Sequence, residues 1–164
     1  MIRFDVETMC ARIEATLKAD LPAKLLEVEA EKVALSVGVE GGLASVETAA
    51  YHFQSWSDAI LSHSPSIFYG IKNSEVIGSE GGVTALKYTI FVDLILADKL
   101  LGDETKRILR YSRAIKEVLE AKWDRIGNGT KAVINAVTPM NMQVALDSSD
   151  EVKVGGVEIY AIIV

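Results

Sequence analysis

The chain has 164 residues, 49% hydrophobic and 24% charged, with three prolines, one cysteine and a formal net charge of -6. A chain of this size forms one ordinary domain that buries roughly 70% of its unfolded surface, which excludes disorder and a disulfide scaffold. The acidic excess lies in residues 1–82, with 6 Lys/Arg against 12 Asp/Glu, whereas residues 83–164 hold 11 of each.

Acidic balance argues against a tight nucleic-acid partner, because such binding relies on Lys and Arg displacing phosphate counterions. Cys10 has no second cysteine to bridge, and no charged, apolar, small-residue leader opens the chain, so a reducing, cytosolic compartment is expected. The apolar run around Leu94–Ala97 is cut by Asp93, Asp98 and Lys99. It falls far short of the ~18 residues that a span needs, so no membrane partner is expected.

Val6, Met9, Ile13 and Leu17 recur at helical spacing and predict an amphipathic helix over 5–19. Leu21-Pro22 should interrupt it, because proline lacks an N–H donor and disfavours helix in the preceding residue. A second helix is expected from Pro22 to about Leu35, with Leu25, Leu26, Val28 and Val33 as its apolar positions. After Gly38, Gly41 and Gly42, the spacing of Val46, Ala49, Ala50, Phe53, Trp56 and Ile60 favours a third helical stretch.

Ser62-His63-Ser64-Pro65 is loop chemistry, and Ser66–Ile71 reads as a short strand. Lys72–Thr84 is a polar connection with three glycines, expected to form a long hairpin arm. Leu86, Tyr88, Ile90, Val92, Leu94 and Leu96 alternate with Lys87, Thr89, Phe91, Asp93 and Ile95, a clear strand. Gly102-Asp103-Glu104 opens a helix with Asp103 as its cap. Ile108, Tyr111, Ile115, Val118, Leu119 and Ile126 gather on one side of that helix, opposite Lys106, Arg110, Arg113, Glu117, Glu120 and Asp124. Gly127-Asn128-Gly129 should end it.

Met140–Leu146 and Val157–Ile163 alternate as two final strands around the turn Asp147–Asp150. Pro139, after the apolar stretch Val133–Val137, implies an edge, a bulge or a break, and Gly155-Gly156 implies a bulge. The element order predicts a single α+β domain over 1–164. Its antiparallel or mixed sheet has about four strands, with helices on one face, N-terminal helices and a long helix between two strand pairs.

His52 and His63, with Ser55, Asp58 and Ser64 nearby, supply the residue types of a triad or a metal site. Neither histidine has a second ligand at helical spacing, so surface or boundary histidines are expected and no catalytic, metal or cofactor residue is assigned. Cys10 lies beside an apolar stripe and reads as core. The pairs Gly41-Gly42, Gly81-Gly82 and Gly155-Gly156 lack the strand, helix and lysine context of a phosphate loop.

Lys106, Arg107, Arg110 and Arg113 either dock an acidic partner or a neighbouring subunit, or form a solvated face with Arg113–Glu117 and Lys116–Glu120 pairs. The arm, with uncommitted strand edges, could add to a neighbour's sheet. Interface candidates are therefore Asn73, Glu75, Val76, Ile77, Glu80, Arg107, Arg110 and Arg113. Two other classes stay open: a small enzyme or ligand-binding subunit using His52, His63 or Tyr69 at a subunit boundary, and a nonviral protein-binding adaptor.

Several strings in this order resemble the tail terminator and tail completion proteins of tailed bacteriophages. They are the N-terminal helix with Leu17 and Leu21, the strand entry Pro65-Ser66-Ile67-Phe68, the arm Lys72–Thr84, and the strand Leu86–Asp98. The helix Thr105–Asp124 and the final strand with Gly155-Gly156-Val157-Glu158-Ile159 complete the set. The resemblance covers most of the chain as architecture and carries no residue-specific motif. It implies an α+β virion subunit, assembled in the host cytoplasm, that forms a six-membered ring on the head-proximal end of the tail tube. Such a ring stops tube growth and docks to the head connector or stopper protein. The implied partners are the chain itself, the tail tube protein and the connector, with DNA only passing through an acidic channel.

Overall fold

Met9, Ile13, Leu17, Leu21, Leu25 and Val28 recur every three or four residues, and in the computed structural model all six are buried on one face of a single helix, α1 (Val6–Ala34). The structure describes residues 5–53, 64–96, 103–127, 132–147 and 150–163. Asp5 caps α1, its Oδ1 accepting from the Thr8 N–H at 2.8 Å. The expected interruption at Pro22 does not occur: the proline sits inside the helix. An interior proline costs about 3 kcal/mol, whereas each fully buried aliphatic side chain contributes roughly 1.5–3 kcal/mol, so a stripe of six outweighs the break.

The third helical stretch is also corrected. Thr48–Ala50 is one 3-10 turn, and the chain then extends as β1 (Tyr51–Phe53), parallel to Ile67–Tyr69. Tyr51 packs on the core, and the aromatic Tyr-His-Phe run suits a pleated surface better than a helix. Trp56 and Ile60 lie outside the described residues, as do the ends of the loop over 62–63.

The rest of the sheet is β2 (Ser66–Glu80), β3 (Val83–Leu96), β4 (Ala132–Asp147) and β5 (Asp150–Ile163), in the order β1-β2-β3-β5-β4. Only β1–β2 is parallel, so the sheet is mixed and the fold is α+β. β2 does not stop at Ile71. It runs through the polar connection to Gly81-Gly82, whose φ of 59° and 82° are the left-handed values that a two-residue hairpin turn requires. β4 is an edge strand that passes through Pro139, with its register shifts at Ile134/Ala136 and Ala145/Asp147 rather than at the proline.

Gly155-Gly156 makes no bulge. β5 keeps its register against β3 there; Gly156 has φ 148°, and a Cβ at this position would lie 2.0 Å from the Val92 carbonyl oxygen. The glycine answers a close approach of two backbones.

α2 (Glu104–Ala121) and α3 (Trp123–Gly127) follow β3. Ile108, Tyr111, Ile115, Val118, Leu119 and Ile126 are buried as the spacing predicts. Asp103 holds the N-cap position of α2, its carbonyl accepting the Arg107 N–H at 3.0 Å, but its side chain makes no cap bond. Its φ is 52°, no backbone N–H reaches its side chain, and its carboxylate pairs instead with Lys106 at 3.1 Å. The core lies between α1, α2 and the sheet face carrying Ile67, Tyr69, Ile90, Val92, Leu94, Val157 and Ile159. Cys10 belongs to it, and burial pushes its thiol up to about 12. Among the described residues no helix is long and apolar enough to cross a membrane.

Candidate functional site

Strand pairing places His52 beside Phe68, Phe68 beside Asp93, and Asp93 beside Gly156, one row across the sheet face turned away from the helices. The His52 ring stacks on Phe68 with centroids 4.8 Å apart and planes 15° apart. His52 is therefore half-buried against the sheet rather than on the surface. Its Nε2 and the Asp93 Oδ1 are both buried without a hydrogen-bond partner. Burial pushes the Asp93 carboxyl up to about 6, with Glu158 adding to the rise and Lys72 opposing it. β1 and β3 are two strand spacings apart, roughly 10 Å, with Phe68 between them, so no proton passes directly from one group to the other.

Tyr69, the other residue of the enzyme reading, points to the opposite face and donates its hydroxyl hydrogen to a Glu14 carboxylate oxygen. His63 lies outside the described residues. His52 and Tyr69 do not converge on one point. Among the described residues no group of three or more His, Cys, Asp and Glu side chains is placed to hold a metal ion.

The arginines of α2 are divided in role. Arg107 is 4% exposed and donates to the Gly42 and Glu40 carbonyl oxygens, while Arg110 is 6% exposed and bonds Glu29 Oε2 at 2.7 Å and the Val37 carbonyl. Glu29 also accepts the Val39 N–H at 2.8 Å, and the Tyr111 hydroxyl donates to the Ala44 carbonyl at 2.6 Å. A solvated face is thus the wrong description of Arg107 and Arg110: they fasten the segment 37–44 to the helix pair. Arg113 stays half-exposed, bonded to Glu31 and Glu117, and these neighbours raise its pKa and lower theirs. Sequence spacing anticipated Arg113–Glu117 and Lys116–Glu120, the latter 2.8 Å long, but gave no sign of Glu29 or Glu31, which are 81 and 82 residues from their partners.

The arm is a two-stranded ladder. Among the described residues β1 pairs with β2 at Ile67–Tyr69, and β5 pairs with β3 as far as Leu86, which faces Ile163. Beyond Val76↔Leu86 the hairpin has no other strand beside it among the described residues. Asn73 and Glu75 are exposed, and Glu75 accepts from Lys87 Nζ at 2.8 Å. A register shift at Ile77 interrupts the alternation, and both Val76 (66%) and Ile77 (46%) face solvent. Glu80 pairs with Val83 beside the turn, and its side chain is outside the described set.

A second exposed apolar group had no signal in the periodicity: Leu26, Val33, Leu35 and Val37, on the last turns of α1 and just after it. Helical spacing placed Leu26 and Val33 among the apolar positions of the helix, but only Leu25 and Val28 went into the core. Compared with protein-family models and with curated protein sequences, the chain matches none.

Proposed function

We propose that the chain is a structural subunit that assembles with copies of itself into a ring, and that this ring is a tail terminator at the junction of phage head and tail tube. The observation that carries the reading is the arm: a hairpin continued past the cover of β1 and β5, with two exposed aliphatic side chains, Val76 and Ile77, where it leaves that cover. An isolated two-stranded ribbon is marginal in water, so an arm of this form gains stability from a surface that it lies on. The order of elements resembling terminator proteins supplies the particular assembly. The acidic balance suits a channel for DNA, since negative walls release no counterions and do not hold the duplex.

A catalytic subunit is the weaker alternative, because His52 and Tyr69 lie on opposite faces of the sheet. The test is negative-stain imaging across a concentration series, with mass measured in solution on the same samples. Closed rings with a central channel, lost on deletion of residues 74–82, are the expected outcome. A monomer at every concentration, with or without tail tubes present, overturns the reading.

A further inference from the structure

We draw no further inference here: the strongest candidate, the buried Asp93 carboxyl in the row of His52, Phe68, Asp93 and Gly156 across the sheet face turned away from the helices, belongs to the site already described, and apart from a raised pKa nothing in the structure shows what its unpartnered Oδ1 would bind.

Discussion

Residues 35–47 and 72–84 are each thirteen long, carry three glycines apiece and interrupt the apolar patterning in the same way, yet they end in opposite states. The first is bound down: Val39, Leu43 and Val46 are buried, and Arg107, Arg110, Tyr111 and Glu29 take up its backbone groups. The second satisfies its own backbone as a ladder and stays exposed from Lys72 to Gly78. Glycine content sets neither outcome. What differs is whether distant side chains arrive to meet the peptide groups, since a segment without such partners must either pair with itself or face water.

The sharpest way to break this comparison is Glu29→Ala. It removes the acceptor for Val39 N–H and strands the Arg110 guanidinium in a buried site, so the expected loss is about 3–5 kcal/mol by urea unfolding. A loss below about 1 kcal/mol would mean that the segment is held by its apolar side chains alone.

On the sheet face turned away from the helices, Asp93→Asn gives the next largest effect, and it depends on pH. The folded carboxyl is raised from 3.8 to about 6, so the contribution of Asp93 to stability is full below about pH 4 and is lost as pH rises to about 6. Asparagine removes that fall. The variant should match the native protein near pH 4 and exceed it by up to about 3 kcal/mol above pH 7, read as the difference between two urea midpoints across pH. A constant difference across that range would show that Asp93 is not the group titrating.

Arg113→Ala should matter least. Its bonds to Glu31 and Glu117 are half-exposed, and such pairs contribute about 0–1 kcal/mol, so thermal unfolding should hardly move. The contrast with Glu29→Ala, one helical turn away across the same helix pair, sharpens the point that burial decides the worth of a charge in this interface.

The sequence was most legible where one period persisted over several turns. The stripe from Ile108 to Ile126 reports burial directly, because a residue facing the core must recur with the period of its element. The alternation of Leu86–Leu96 gives the strand and its two faces but not burial, since Thr89, Asp93 and Ile95 on the other face are buried too. It misled where a local rule met a longer pattern: Pro22 is a sound helix breaker, but the stripe from Met9 to Val28 continues through it. It misled again at Tyr51–Phe53, where helical spacing persisted across a segment that pairs with β2. The clasp on residues 37–44 could not be read at the arginines and Tyr111, because these donors lie 65 to 73 residues away from the carbonyls they meet. The arm was half legible. Its length and polarity stood out, whereas the exposed pair Val76 and Ile77 depends on a register shift that leaves no trace in composition.

Gly156 carries a consequence for any experiment that randomises the chain position by position and selects for folded protein. A methyl group there would drive into the Val92 carbonyl and wedge β5 away from β3, so no other residue should survive. Gly78 has open space around it and no unusual φ, and it should accept many substitutions although it lies in the arm to which assembly is assigned. A map of tolerance drawn on this molecule would mark the place where two strands nearly touch and pass over the place where we propose that two subunits meet.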